Sequence, residues 1–151
     1  MRRTMMKSKI HRAIVTGADV DYVGSITLDR DLMALADIRE FEHVAVLDID
    51  NGARFETYAM AGDAGDVILN GAAARLVDPG DRVIVITYAE YDEAELEAYE
   101  PRIVHVDESN RAISAEQAVM RAGSNLVWMR TGSEPGARGA PHRRNPVRPA
   151  P

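Results

Sequence analysis

A small set of polar residues has the types that acid–base and nucleophilic chemistry uses. Arg54 offers a planar guanidinium that binds a carboxylate through two parallel hydrogen bonds, whereas Lys9 offers a mobile point charge. Each residue alone also has an ordinary structural explanation, such as a solvated strand position for Arg54. Composition and spacing therefore identify candidate functional residues but do not assign a reaction to them. The set is Lys9, His11, Tyr22, Gly24, Ser25, Arg54, Thr57, Tyr58 and Asn70.

The motifs of several common enzyme classes do not occur in this sequence. No GxGxxG, Walker loop, HExxH or GxSxG is found, so the common nucleotide, zinc and hydrolase families lose support. Cysteine is absent, which excludes disulfides and a cysteine nucleophile, and the four histidines are widely spaced, which predicts no metal site. A serine hydrolase built on Ser25 and His11 is an alternative that lacks a nucleophile elbow and an orienting acid.

The Asn51-Gly52 pair predicts the hairpin that would position several of these residues. It separates a β-branched run over 43–49 from a second strand over 54–60, and it predicts a tight turn with φ > 0 at both central residues. In the second strand Arg54 and Tyr58 share one face, because side chains alternate along a strand. We therefore expect Arg54 and Tyr58 to reach one pocket.

The same kind of pattern predicts further elements. Asp29 and Asp92 stand where helix N-caps would, and the apolar run after residue 81 is typical of a strand buried on both faces. On pattern alone the chain is a small, mostly β barrel or sandwich with short helices. The elements are helices over 29–36 and 92–99, a turn at 78–81, and strands over 82–89 and 102–106.

Length and charge set the broad class of the protein. The chain has 151 residues and a formal net charge of −6, which suits one domain and makes nucleic acid an unfavourable partner. No apolar run long enough for a signal peptide or a membrane span is present, so a cytoplasmic location is expected. We expect one domain over 1–117 and a disordered tail, rich in proline and arginine, over 118–151.

Four separated segments resemble the pyruvoyl-dependent aspartate 1-decarboxylase family. They are MRRTMMKSKIHRAIVT, ADVDYVGSITLD, DNGARFETYAM and LNGAAARLVDPGDRVIVITYA, in this order, and the resemblance extends from Met1 to about Val106. It implies a mainly β fold, a double-psi β-barrel with short helices, assembled as a homotetramer with active sites between subunits. It also implies an enzyme that supplies β-alanine for the biosynthesis of pantothenate and coenzyme A.

The resemblance gives the bond between Gly24 and Ser25 a specific meaning. It implies that the precursor, a zymogen, cuts itself there into 1–24 and 25–151 and converts Ser25 into a pyruvoyl group. The Ser25 hydroxyl attacks the Gly24 carbonyl, the acyl group moves from nitrogen to oxygen, and elimination and hydrolysis release ammonia. By resemblance, Thr57 donates a hydrogen bond to that carbonyl. Neither a metal nor pyridoxal phosphate is implied.

The resemblance also implies the roles of residues in the mature enzyme. The pyruvoyl ketone would form a Schiff base with L-aspartate and accept electrons as CO2 leaves, and Tyr58 would then reprotonate the α-carbon. We expect Arg54 to hold the carboxylate that is retained, because pairing the departing one would stabilise the ground state. The implied substrate-binding residues are Lys9, His11, Tyr22, Arg54, Thr57, Asn70, Gly71, Ala72 and Ala73.

Two further alternatives stay open on the sequence. One is a non-catalytic β-barrel binding module that has lost self-cleavage, although no binding role requires the whole set of implied residues together. The other is a pyruvoyl decarboxylase for another amino acid, against which the two cations Lys9 and Arg54 favour a substrate with two carboxylates. The resemblance leaves open whether cleavage is spontaneous or needs a maturation factor as a partner.

Overall fold

The computed structural model describes residues 1–122, which form a mainly β chain with short helices. The strands are β1 (Arg2–Ile14), β2 (Gly17–Asp19), β3 (Ser25–Asp29), β4 (His43–Asp48), β5 (Arg54–Gly62), β6 (Val67–Asn70), β7 (Arg82–Asp92), β8 (Arg102–Val106) and β9 (Ala112–Ile113). The helices are α1 (Arg30–Leu35), a 3₁₀ helix (Gly71–Leu76), α2 (Glu93–Leu96) and α3 (Ala115–Ala122).

The strands form one mixed sheet in the order β2-β6-β3-β5-β4-β7-β1-β8-β9. Three pairs are parallel, namely β1 with β8, β2 with β6, and β3 with β5, and the other pairs are antiparallel. The predicted fold class, a mainly β double-psi β-barrel with short helices, is confirmed.

The strands alternate between the core and an outer face, by which we mean the side of the sheet that faces away from the core. Ile10, Val85 and Val46 are fully buried and form one row across β1, β7 and β4. Burying such a side chain contributes about 1.5–3 kcal/mol. The residues between them in sequence, including Lys9 and His11, therefore lie on the outer face.

The predicted hairpin joins β4 to β5, but its turn differs from the prediction. Gly52 has φ +80°, whereas Asn51 has no positive φ, and the Asp48 amide donates to Ala53 O across a loop of residues 49–52. The Asn51 side chain explains the difference, because its Oδ1 accepts from Ala53 N at 2.7 Å and its Nδ2 donates to Leu76 O at 2.9 Å. Side-chain hydrogen bonds thus stabilise a longer loop than the expected two-residue turn.

Both predicted helix starts are confirmed by their caps. The Asp29 carboxylate accepts from Asp31 N and Leu32 N at the start of α1. Asp92 and Glu95 form a reciprocal capping box at the start of α2. The second helix ends at Leu96, earlier than predicted.

Two strands differ from the sequence-based expectation. β1 was not predicted, although it is the longest strand among residues 1–122. β7 continues to Asp92, beyond the predicted end, and only one of its faces is fully buried. On the other face Ile84 and Ile86 are half-buried and Tyr88 is exposed, so the prediction of burial on both faces is wrong for the single chain. The strand 102–106 and the turn at 78–81 are confirmed.

The C-terminal part of the described chain is attached by a buried asparagine. Asn110 Oδ1 accepts from Ile14 N, and its Nδ2 donates to Ile14 O and Gly65 O. The helix α3 then crosses the predicted boundary at 118, so residues 118–122 are helical rather than disordered. The rest of the predicted tail, 123–151, lies outside the described residues. No helix within 1–122 is both long and apolar enough to span a membrane.

Candidate active site

Ser25 opens β3 and is fully buried. Its Oγ accepts a hydrogen bond from Asn70 Nδ2 at 2.9 Å and donates to Val23 O at 3.4 Å. The antiparallel ladder of β3 and β6 positions the two side chains, because Ser25 and Asn70 are directly paired. The hydroxyl is therefore held in a defined orientation beside the peptide bond that joins it to Gly24.

Asn70 connects Ser25 to a second hydroxyl. Its Nδ2 also donates to Thr27 Oγ1 at 3.0 Å, and Thr27 lies on the same face of β3 as Ser25. Asn70 is itself nearly fully buried, so its amide group has a fixed position. The sequence nominated Asn70 by motif but missed Thr27, which the two-residue spacing from Ser25 could have indicated.

Gly71 packs against the backbone of Gly24 more closely than any residue with a side chain could. Gly71 has φ +61°, and a Cβ added there would lie 2.7 Å from Gly24 Cα and 3.0 Å from Gly24 N. The same Cβ would lie 3.2 Å from Tyr22 O. Both the left-handed conformation and the close approach require glycine. The start of the 3₁₀ helix thus fixes the chain just before Ser25.

Thr57 and Tyr58 lie in the middle of β5, directly before the residues that pair with β3. The parallel β3–β5 ladder begins with Ile26 paired to Ala59, so Ser25 and Tyr58 precede the first pair by one residue. Tyr58 is half-buried, and its ring centroid lies 6.1 Å from that of Phe41.

The residues at and around the Gly24–Ser25 bond are here called the cleavage group. Tyr22 is exposed, Ala72 is exposed and Ala73 is half-buried in the 3₁₀ helix. The group consists of Tyr22, Gly24, Ser25, Thr57, Tyr58, Asn70, Gly71, Ala72 and Ala73.

Lys9, His11 and Arg54, here called the cation group, lie elsewhere on the outer face. Lys9 and His11 are on β1, and β7, β4 and β5 separate that strand from β3. At about 4.8 Å per strand, Lys9 and Ser25 are about 19 Å apart along the sheet. His11 shares a row with Arg54, at about 14 Å along the sheet, and Arg54 lies about 13 Å from Tyr58 along β5. One chain therefore does not bring the two groups together.

Burial controls the protonation of the β1 residues. Burial lowers the pKa of His11 to about 4, with smaller contributions from Lys9, His105 and Arg12. Burial also lowers the pKa of Lys9 and of His105. The rings of His11 and His105 meet edge to face at 5.6 Å, because β8 pairs in parallel with β1. At neutral pH His11 is therefore neutral, and charge on this part of the outer face comes from the amine and the guanidinium groups.

Comparison with known proteins agrees with this geometry. A sequence profile of the family described as aspartate decarboxylase matches residues 1–113. The chain belongs to the aspartate decarboxylase family. A relative from Corynebacterium efficiens, named aspartate 1-decarboxylase, is 57% identical over 135 residues, covering 87% of this chain and 99% of the relative. The resemblance seen in the sequence is confirmed.

Membership of the aspartate decarboxylase family narrows the alternatives. Neither comparison supports the non-catalytic binding module. Within one chain three strands separate Ser25 from His11, so a single copy does not form the Ser–His pair that the serine hydrolase alternative needs. His105, the ring partner of His11, was missed by the sequence analysis, since strand order in a mixed sheet cannot be read from spacing.

Proposed function

We propose that this chain is a self-processing, pyruvoyl-dependent carboxy-lyase that converts L-aspartate to β-alanine and CO2 for pantothenate biosynthesis. The observation that carries the proposal is the setting of Ser25, a buried hydroxyl held by Asn70 beside a Gly24 backbone that Gly71 fixes. Family membership and the 57% identity to a relative named aspartate 1-decarboxylase support the same activity. A cytoplasmic location stays a prediction, and spontaneous and assisted cleavage are both open.

The residues around Ser25 fit a pyruvoyl group formed from that serine. The Asn70 side-chain amide donates a hydrogen bond to Ser25 Oγ. An N–H donor at this position can bond to a ketone oxygen as well as to a hydroxyl oxygen. Asn70 and Gly71 would hold the group at the start of β3. When formed, the group supplies an electrophilic carbonyl that binds the substrate amine and takes up the electron pair left by CO2.

Self-cleavage uses residues of one chain. Ser25 Oγ attacks the Gly24 carbonyl carbon, the Gly24–Ser25 amide becomes an ester, and elimination then frees the carboxylate of Gly24. Asn70 orients the hydroxyl, and the contact of Gly71 with Gly24 restricts the peptide to the reactive position. Thr57 lies two residues before the first β3–β5 pair, and we assign to it the hydrogen bond to the Gly24 carbonyl that the family resemblance implies.

Decarboxylation needs an acid at the α-carbon and cations for the carboxylates. Tyr58 stands one residue before the β3–β5 ladder, level with Ser25, and its phenol adds no negative charge to the pocket before it donates its proton. Arg54 binds the carboxylate that is retained, through its two parallel donors. Lys9 adds a second positive charge and His11 a neutral ring.

The separation of the two groups supports a site shared between copies. The outer face of a barrel is convex, so side chains on different strands diverge, and Lys9 of the same chain does not reach Ser25. Half-buried Ile84 and Leu47 lie in the row from His11 to Arg54, with Ile86 beside Lys9, and they offer an apolar surface for a second copy. We therefore propose a homotetramer in which the cation group of one subunit faces the cleavage group of its neighbour.

Intact mass of the purified, denatured protein tests the processing step. We expect residues 1–24 and a second fragment, 25–151, that is lighter by one ammonia than a serine-ended chain. Ser25→Ala is the control and stays uncut. CO2 release from aspartate, glutamate and cysteine sulfinate then identifies the substrate. A wild-type chain that stays uncut and inactive after prolonged warming with host extract would contradict the proposal.

Mixed assemblies test the shared site. Lys9→Ala and Ser25→Ala chains are each inactive alone, but random co-assembly restores both residues in roughly a quarter of sites if each site combines two copies. Double-mutant chains, Lys9→Ala with Ser25→Ala, mixed with Ser25→Ala chains provide the control. No regained activity in verified mixed tetramers would show that one chain supplies both residues.

A further inference from the structure

Phe41, in the connection between α1 and β4, has a backbone conformation that a bulky side chain rarely adopts. Its φ is +65°, in the left-handed region that favours glycine and asparagine. Among the non-glycine residues of 1–122 with a positive φ, it is the only aromatic one. The residue is also 69% exposed, so burial returns little of the free energy that this conformation costs. Neither backbone preference nor the hydrophobic core explains why this position holds phenylalanine.

Hydrogen bonds attach the strained backbone of Phe41 to β5. Phe41 N donates to Ala59 O at 2.7 Å, and Ala59 N donates to Glu42 O at 3.0 Å. Glu42 is fixed in turn, because Lys7 Nζ donates to its carboxylate at 2.6 Å. Phe41 is thus held against the residue that directly follows Tyr58. Strained residues that persist because their surroundings fix them are typical of active sites.

The ring of Phe41 contacts the ring of Tyr58, the acid in the proposed reaction. The two centroids are 6.1 Å apart and the ring planes are inclined by 39°, within the range of attractive aromatic pairs. His43, which lies opposite Tyr58 in the β4–β5 ladder, has its Nε2 3.3 Å from Glu56 Oε2. Among residues 1–122, Phe41 is therefore the aromatic neighbour that restricts the rotation of the Tyr58 side chain.

We propose that Phe41 is a positioning residue that holds the Tyr58 phenol in the orientation from which it donates its proton to the α-carbon. The inference rests on the proposed function, in which Tyr58 is the acid. Proton transfer requires the acid to lie within hydrogen-bond reach of the acceptor, and a side chain already restricted loses less freedom on reaching that position. The strain at Phe41 keeps an aromatic ring beside the acid.

Phe41→Gly tests the proposal, because it removes the ring and also relieves the positive φ. Released strain offsets the lost ring contact, so the Tm is expected to stay within about 4 °C of the wild type. The kcat for CO2 release from aspartate, per cleaved chain counted by intact mass, is expected to fall about tenfold. The KM is expected to change by less than about twofold, since the carboxylates are bound elsewhere. Phe41→Tyr keeps the ring and is expected to restore the kcat.

Asp37→Gly is the matched control. Asp37 also has a positive φ, +52°, and is an exposed residue of the same connection. Its backbone carbonyl accepts a hydrogen bond from Lys7 Nζ, and glycine keeps this carbonyl. The variant relieves strain without removing the ring beside Tyr58, so the kcat and the KM are both expected to stay at the wild-type values.

A double variant separates this inference from the proposed function. In a Tyr58→Phe background, Phe41→Gly is expected to lower the kcat no further, because the ring acts through the phenol. The inference is overturned if Phe41→Gly keeps the wild-type kcat, if Phe41→Tyr is as slow as Phe41→Gly, or if the loss persists in the Tyr58→Phe background. A loss that accompanies dissociation of the assembly also overturns it, since Phe41 would then pack against another copy. Wild-type kcat in Tyr58→Phe alone would instead contradict the acid of the proposed function.

Discussion

Gly71→Ala tests whether the close packing on Gly24 drives self-cleavage. The new Cβ would lie 2.7 Å from Gly24 Cα, so the Gly24 backbone must move by about 0.7 Å to reach the 3.4 Å at which ordinary contacts begin. A displacement approaching 1 Å of a reacting group slows an intramolecular reaction by up to about 100-fold. We expect the rate of cleavage to fall by about 10- to 100-fold.

The variant also forces alanine into a left-handed conformation, which costs about 1–2 kcal/mol of stability. Gly52→Ala is the control for this backbone strain. Gly52 also has a positive φ, +80°, but nothing lies within 4 Å of a Cβ added there, so the variant has the strain without the close contact. Both variants should lose about 2–8 °C in Tm from backbone strain. Only Gly71→Ala should accumulate uncut chain, measured by intact mass over a time course. Equal cleavage rates for the two variants would refute the reasoning.

Three further predictions concern named side chains. Asn70→Ala leaves two hydroxyls without their donor, so we expect stability to fall by about 2 kcal/mol and cleavage to slow at least tenfold, whereas Thr27→Val should cleave at nearly the wild-type rate. Arg54→Lys loses the second donor to the retained carboxylate, so the KM for aspartate should rise about tenfold with a smaller change in kcat; an unchanged KM would exclude the assignment. The folded-state pKa of His11 is about 4, below its ordinary value of 6.5, so the unfolded chain binds more protons between these values and stability falls as the pH drops through this window. Discounted for partial exposure, the loss is about 1–2 kcal/mol, and His11→Gln should show a correspondingly flatter dependence of Tm on pH between 7 and 4.

Local patterns predicted the local elements well. The Asp29 and Asp92 caps and the β4–β5 hairpin follow from interactions within a few residues of sequence, and the structure contains all three. The tight turn was wrong because the Asn51 amide bonds to Ala53 N and Leu76 O. The last of these partners is 25 residues away, so the dipeptide alone could not indicate it.

The sequence pattern of β1 explains why this strand, the longest among residues 1–122, was not predicted. Its first half carries Arg2, Arg3 and Lys7 on positions that are exposed or half-buried, and only Ser8, Ile10 and Ala13 are fully buried. The bulges between Met6 and Ser8 and between His11 and Ala13 shift the alternation. A two-residue period that is interrupted twice does not stand out in sequence, even though β7 pairs with nearly the whole strand.

As with the fold, the candidate site depends on contacts between residues that are far apart in sequence. Ser25 and Asn70 are 45 residues apart, yet one antiparallel ladder brings them into contact, so both residues of the proposed self-cleavage step come from a single chain. A substrate with two carboxylates needs cations, and β1 and the far end of β5 hold them on the outer face. Because the two groups lie apart on a convex face, the proposed shared site needs an opposing surface. In the proposed tetramer a neighbouring subunit supplies the cation group, whose residues are interleaved with those of the cleavage group in sequence but separate from them in the fold of one chain.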